Sequence, residues 1–551
     1  MNSYKFLKLT AIFFGTAIFA VSCTKLNQDL NSTLTNQQAA NALGANGTQL
    51  LLQTAYNDVG GMYSDLGAIP SLEEVTADQC VVPTRAGDWD DNGAWRALKQ
   101  QTFGPDGITQ IINAFNNLNK LNFDATNVLA FNPTKAQAAE ARFLRALSLY
   151  QLLDLFGQYP YREPGENLLN APKVYSGDSA VSFIINELTT IIPDLPAANG
   201  IDKANADAAN MLLMKLYLNR GAFNNRAAPT FDDADMQKVI TLGNAIINSG
   251  KFSYSANYFD NFSPNNSGSK EGIFAYPNTS GVSVNNSGIH NRWWPTLHYN
   301  SYKPLAPQSG WNGFSTVADF YNSFGVNSIV PTQTPSDTLL DTRIGGRFYK
   351  GLTDITGLRT GLLIGQQYYE DGSKVMDRKG NLLIFNTNFS PDLKETGPLL
   401  EDIGIRVLKY IPDLSGNGKN YGGGTSGNWL MLFRYPDVVL MVAEAKMRAS
   451  TADNSGALAL VNELRVARKA VPMISMSLVN PNNVADPNTL LAERGRELYW
   501  EVMRRTDLIR FGVFMKAWAL KTASDATHLV FPIPSTALAA NPNLKQNPGY
   551  N

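Results

Sequence analysis

Cysteine and histidine are scarce in this 551-residue chain, which contains 2 Cys and 3 His. So few thiols cannot form a disulfide framework or a cysteine metal site, and no HExxH zinc motif occurs. An excess of one charge is also lacking, because the formal net charge is -1. Electrostatics therefore gives no reason to expect nucleic acid as a partner. The composition favours an uncharged ligand and predicts neither a metal nor another cofactor.

Long hydrophobic runs are missing as well, since no stretch approaches the ~18 apolar residues of a transmembrane helix. The apolar run from Leu9 to Val21 follows Lys5 and Lys8 and is typical of an export signal. It ends in Ala-Val-Ser before Cys23, which resembles the bacterial lipobox. We expect a signal peptide at 1–22, acylation (palmitate) of Cys23 and a polar tether at 23–35. The alternative is a secreted protein that is cleaved elsewhere.

Helical periodicity dominates the chain up to residue 251 and returns after residue 430. Three pairs of segments share one plan, in which an Ala-containing helix precedes one with Ile, Leu and Val at helical spacing. The pairs are 136–156 with 179–192, 206–220 with 235–248, and 434–448 with 457–468. Two more helices are expected at 36–59 and 108–121. The pattern predicts a mainly α fold, a tetratricopeptide-like scaffold of helical hairpins formed by residues 36–251 and 430–551.

Residues 488–510 combine large apolar side chains with closely spaced charges. We predict one helix here, with a lattice of ion pairs beside the core. Neighbouring Arg residues would keep Glu493, Glu497 and Glu501 ionised, which argues against a general acid of the glycosidase kind. The other adjacent carboxylates, Glu73 and Glu74, lie in an apparent loop.

Gly, Asn, Ser, Pro and aromatic residues replace helical periodicity in residues 252–429. We interpret this region as an inserted, loop-rich, ligand-binding subdomain with short strands at 272–276, 382–385 and 405–411. Binding residues are common on such loops.

Three aromatic groups supply candidate binding residues. Sugar rings present flat C–H faces edged by hydroxyl groups, so a glycan site needs aromatic platforms together with amide or carboxylate partners. The alternative for each tryptophan is a structural anchor in the core. The candidates are Trp89, Asp91, Asn92, Trp95, Trp293, Trp294, Tyr299, Trp311 and Asn312.

The segment from Asp88 to Gly93 also matches the first half of an EF-hand loop. The twelfth position is Lys99, where calcium binding needs a bidentate Glu. We therefore expect an Asx-type turn rather than a calcium site.

Several sequence blocks together resemble the SusD/RagB family of outer-membrane nutrient-binding lipoproteins. The blocks are EARFLRA from Glu140, FGQYP from Phe156, FRYPD from Phe433, LMVAEA from Leu440, NELR from Asn462, ERGREL from Glu493, RTDLIR from Arg505, FPIP from Phe531 and QNPGY from Gln546.

The resemblance implies a lipid-anchored protein of the outer membrane, exposed at the cell surface. It implies capture of oligosaccharides, delivery to a SusC-like TonB-dependent transporter, and no enzymatic activity. Peptides or other nutrients are alternative ligands, and an endo-acting glycosidase or a purely structural partner are alternative functions. The blocks belong to the scaffold, so no ligand-binding residue transfers through them.

Overall fold

The computed structural model describes residues 46–105, 108–281, 288–301, 310–325, 341–345, 360–369, 373–413 and 426–550. The expected export signal, Cys23 and the tether lie outside these ranges. The chain divides into a unit Met1–Gly47 and a compact unit Thr48–Asn551. The second unit is the one described below.

Helices form most of the regular structure. They are α1 Gly47–Ser64, α2 Ile69–Glu74, α3 Ala94–Gln100, α4 Thr109–Leu129, α5 Lys135–Phe156, α6 Gly177–Ile191, α7 Ala206–Asn224, α8 Asp233–Asn248, α9 Ala318–Asn322, α10 Tyr435–Arg448, α11 Asn454–Ala467, α12 Leu490–Leu498, α13 Arg504–Arg510 and α14 Ser535–Ala540. Within the described ranges, none is both long and apolar enough to cross a bilayer.

The strands are short and pair two by two. They are β1 Thr84–Arg85, β2 Gln158–Tyr161, β3 Lys173–Ser176, β4 Gly272–Tyr276, β5 Gly361–Leu363, β6 Gly365–Gln366, β7 Ile384–Phe385, β8 Lys394–Glu395, β9 Arg406–Leu408 and β10 Leu430–Arg434. The β1–β8 pair is parallel, and the β2–β3, β4–β10, β5–β9 and β6–β7 pairs are antiparallel.

Successive helices pack in one continuous array from α4 through α8 to α10 and α11. Helix α5 begins with a capping box between Thr134 and Gln137 and ends at Gly157, whose φ of 71° suits a glycine. Helices α8 and α10 approach closely, because a Cβ on Gly243 would lie 2.2 Å from Val442. The prediction of a mainly α scaffold of helical hairpins is confirmed, and so are the three helix pairs.

The loop-rich region meets this scaffold through strand pairing. The predicted strand at 272–276 is present as β4, and it pairs with β10, which leads directly into α10. The other two predicted strands are shorter than expected, at Ile384–Phe385 and Arg406–Leu408.

Two predictions about the charged segments were wrong. Residues 488–510 form two helices, because Trp500 and Val502 have φ of 58° and 64° and break the segment after α12. Glu73 and Glu74 lie in α2 rather than in a loop, and both are buried.

The predicted ion-pair lattice exists and is buried. Glu497 of α12 forms ion pairs with Arg343, Arg434 and Arg468. All four side chains are fully buried. Arg434 and Arg468 also bind Glu271, which precedes β4. Buried charges are tolerated only when they are paired in this way. The lattice therefore fixes β4 and the following region against the C-terminal helices.

Candidate functional site

The segment between β1 and α3 has a strained backbone. Ala86, Trp89, Asp91 and Asn92 all have left-handed φ, between 40° and 62°. Such conformations cost about 1–2 kcal/mol per non-glycine residue and cluster at functional sites. Their concentration here singles out this turn as a functional candidate.

Trp89 leaves this strained turn and packs on the loop-rich region. Its indole lies against Gly313, where a Cβ would come within 2.2 Å of the ring. Its Nε1 donates a hydrogen bond to the backbone oxygen of Trp311 at 2.7 Å. Trp95 and Phe314 lie edge-on to Trp89, with ring centroids 5.7 and 5.6 Å away. Only a glycine at 313 permits this approach. The contact joins the predicted aromatic group of Trp89 and Trp95 to the predicted group of Trp311.

Trp294 and Trp311 form the second part of the site. Their ring centroids are 5.2 Å apart, and the Trp311 N–H donates to the Trp294 oxygen at 2.7 Å. Trp311 is 38% exposed and Trp294 is partly exposed. His290 packs against Trp294, with ring centroids 4.6 Å apart. The pair thus presents rigid, partly open indole rings.

Polar groups surround Asp88, the residue before Trp89. The Tyr299 hydroxyl donates to Asp88 at 2.6 Å, and the Arg378 guanidinium covers the Tyr299 ring at 3.7 Å from its centroid. Arg378 also binds Asp88, and both side chains are about half exposed, at 47% and 49%. The group therefore offers both hydrogen-bond donors and hydrogen-bond acceptors to a ligand.

Glu401 supports this polar group from beneath. It accepts hydrogen bonds from Arg378 Nε at 2.6 Å and from His298 Nε2 at 2.8 Å. Burial opposes its ionisation, but the hydrogen bonds from His298 and Arg378 prevail and lower the pKa of Glu401 to about 2.

His298 stays neutral in this network. Burial lowers its pKa, and its Nδ1 accepts the Asn300 N–H, which leaves the Nε2 proton for Glu401. Glu401 is thus a fixed carboxylate that orients Arg378, and it is unsuited to proton donation.

We call the set of Trp89, Trp294, Tyr299 and Trp311 the aromatic surface. Among the other candidates, Asp91 and Asn92 are exposed on the strained turn. Asp91 Oδ2 accepts the Trp95 Nε1–H, and Asp90 pairs with Arg96. The carboxylates of Asp90 and Asp91 therefore bind two different side chains, those of Arg96 and Trp95.

Three candidate residues require correction. Trp293 and Asn312 are fully buried, and Trp95 is 5% exposed. Asn312 Oδ1 accepts hydrogen bonds from Arg406, which makes it part of the core. Trp95 lies in helix α3 rather than in a loop. Trp293 and Asn312 have no surface for a ligand and Trp95 has very little, so we assign all three to the support of the site.

Sequence reasoning missed Arg378, and it named Asp88 only as part of a calcium motif. The two residues are 290 positions apart and meet only in the folded chain. The sequence around Arg378 has no periodicity or motif that could have identified it.

Comparisons with known proteins agree with the fold. The SusD family model matches residues 270–527. The starch-binding protein SusD of Bacteroides thetaiotaomicron is 27% identical over 453 residues, covering 78% of this chain and 75% of that protein.

Two solved structures are similar along nearly their whole length. A SusD superfamily protein from Parabacteroides distasonis is 17% identical, with a TM-score of 0.65 over 94% of this chain and 100% of the other. The surface glycan-binding protein A of B. thetaiotaomicron, solved with laminarihexaose, is 16% identical, with a TM-score of 0.63 over 91% and 99%. At these identities the likeness establishes the fold.

Proposed function

Since this chain belongs to the SusD/RagB family, we propose that it binds neutral oligosaccharides at the aromatic surface and releases them chemically unchanged. The observation that carries the proposal is the pair of partly exposed indole rings, Trp294 and Trp311. Trp89 donates a hydrogen bond to Trp311 and follows Asp88 in the chain, which links the pair to the Tyr299–Arg378–Asp88 group. Indole rings can stack on the C–H face of a sugar, and the polar group can bind its hydroxyls. A relative named for starch binding and one solved with laminarihexaose support a glycan as the ligand.

A non-catalytic role fits Glu401, the carboxylate that binds Arg378. Burial raises the pKa of the next residue, Asp402, to about 6, but Asp402 is only 2% exposed and so is closed to a ligand. Glycosidases need one carboxyl group with a raised pKa to act as the acid. Glu401 has a lowered pKa instead and is engaged by His298 and Arg378. The related proteins are likewise named as binding proteins.

Affinity electrophoresis tests the ligand class. The wild-type chain should be retarded by at least one of starch, laminarin, xylan or galactomannan, and the polysaccharide should show no new reducing ends. If the protein binds peptides and none of these polysaccharides retards it, the ligand is a peptide and the glycan proposal is wrong. If the pure protein releases reducing ends, it is a glycosidase and the proposal of a non-catalytic binding protein is wrong.

We further propose that acylation of Cys23 anchors the protein in the outer membrane, where it passes its ligand to a SusC-like TonB-dependent transporter. The N-terminal sequence and the family support this placement. A Cys23→Ala variant should lose incorporated palmitate and leave the membrane fraction, and the wild type should co-purify with a large outer-membrane barrel protein. Membrane retention of Cys23→Ala would contradict lipid anchoring.

A further inference from the structure

A second concave site lies away from the aromatic surface, between α1, the turn before α7 and β4. Its volume is about 370 Å³, within the range of small-molecule sites. We call it the side cavity and define it by Gln53, Tyr56, Asn57, Lys203, Phe274 and Tyr276.

Fixed aromatic rings form the floor of the side cavity. The Tyr56 hydroxyl binds Glu140 Oε2 at 2.5 Å and accepts the Ala204 N–H at 2.9 Å. The Tyr276 ring lies on Gly60, where a Cβ would be 2.6 Å from the ring. Both tyrosines are 5% exposed. Their positions are thus set by packing and hydrogen bonds and do not depend on a ligand.

Polar groups of balanced charge form the rim. Gln53 Nε2 donates to Asn57 Oδ1 at 2.9 Å, which leaves, in the described part of the chain, the Asn57 amide N–H groups and the Gln53 carbonyl oxygen for a ligand. Lys203 Nζ lies 4.1 Å from the Tyr56 ring centroid. Lys203 contributes one positive charge to the lining and its neighbour Asp202 one negative charge. Donors and acceptors without net charge suit hydroxyl groups.

The backbone holds the rim against the floor. The Ala275 N–H of β4 donates to the Ile201 oxygen at 2.7 Å, which fixes the Asp202–Lys203 turn beside the strand. Helix α1 also connects the two sites, since Arg292, in the turn before Trp294, binds the Tyr63 oxygen. Tyr63 lies six positions after Asn57 in α1, a helical rise of roughly 9 Å.

We propose that the side cavity is a second saccharide-binding site, which holds a neutral sugar unit of the same glycan chain that the aromatic surface binds. This proposal depends on the proposed function, because its ligand is the same class of molecule. Lys203 lies over the Tyr56 ring and Gly60 lies on the Tyr276 ring, so the floor offers a sugar only small apolar contacts. The Gln53, Asn57 and Lys203 rim provides the main partners, through the hydroxyls of the sugar.

The test measures binding of the full chain to the polysaccharide that retards the wild type, by affinity electrophoresis and calorimetry. Asn57→Trp should fill the cavity and weaken binding about tenfold, because one of two linked contacts is lost. Lys203→Ala should weaken binding in the same direction without adding bulk. Asn116→Trp, the same change at an exposed amide of α4, should bind as the wild type does.

A Trp294→Ala/Trp311→Ala variant separates the two sites. Weak residual binding that disappears when Asn57→Trp is added would support the side cavity. Complete loss of binding in this variant, or wild-type affinity in both Asn57→Trp and Lys203→Ala, would overturn it while leaving the aromatic surface intact. Absence of binding by the wild type to every polysaccharide would reject the proposed function and this inference together.

Discussion

Exposure distinguishes tryptophans that are neighbours in sequence. Trp293 is fully buried, whereas Trp294 is partly exposed and packs on Trp311, which is 38% exposed. A sequence cannot reveal this difference, because adjacent residues in a turn face opposite directions only once the turn is folded. The prediction of aromatic binding residues therefore includes both surface rings and core rings.

Alanine substitution should separate these two kinds of tryptophan. Trp311→Ala removes a partly exposed platform, so it should weaken glycan binding by about 0.5–1.5 kcal/mol with little change in melting temperature. Trp293→Ala removes a buried ring and should destabilise the fold by about 3–5 kcal/mol. Calorimetry and thermal denaturation of both variants provide the measurement. If Trp311→Ala destabilises the fold as much as Trp293→Ala does, Trp311 is a core residue and not a binding platform.

Individual elements show where periodicity predicts structure and where it fails. The helices of the three hairpins have strong apolar spacing and were predicted close to their observed bounds. The break between α12 and α13 was missed, because distant partners stabilise it. Glu501 binds Lys409 and Arg434, and Glu74 accepts the Val502 N–H. These contacts join residues far apart in sequence, which a local pattern cannot contain.

The C-terminal end of α11 provides a prediction at this scale. Lys469 is exposed and has φ of 56°, in the position just after the helix where glycine is preferred. Lys469→Gly should therefore raise the free energy of unfolding by about 1 kcal/mol. Lys238→Gly, inside α8, should lower it by about 1 kcal/mol. Chemical denaturation measures both, and destabilisation by Lys469→Gly would contradict the assigned backbone conformation.

At the scale of the whole molecule, buried ion pairs join segments from distant parts of the chain. Glu497 is shared by Arg343, Arg434 and Arg468, and Glu271 binds two of these arginines. The sequence indicated the charged lattice but could not name its partners outside residues 488–510. The polar group of the candidate site also depends on contacts between residues far apart in the sequence, since Asp88 and Arg378 are 290 positions apart.

Removing the central carboxylate should show what the lattice contributes. Glu497→Gln removes one charged partner from each of three buried guanidinium groups, so it should destabilise the fold by about 3–5 kcal/mol. Glu463→Gln, at an exposed glutamate of α11, should have little effect. Equal stability of the two variants, measured by chemical denaturation, would contradict a structural role for the lattice.

The pH dependence of stability follows from lowered carboxylate pKa values. Burial opposes ionisation, but His298 and Arg378 lower the pKa of Glu401 from 4.5 to about 2, and arginines lower that of Glu497. A lowered folded-state pKa adds stability that is present above about pH 4.5 and is lost as the pH falls towards 2. The melting temperature should therefore fall across this interval, and Glu401→Gln should make the fall shallower. A melting temperature that rises on acidification would contradict the ionised network.

The crystal structure of the full-length protein with a bound neutral oligosaccharide is the most direct test of the central claim. The sugar rings should pack on the exposed indoles of Trp294 and Trp311, with hydroxyl groups hydrogen-bonded near Tyr299, Arg378 and Asp88. An oligosaccharide bound elsewhere on the molecule, with these indoles uncovered, would contradict the assignment of the aromatic surface.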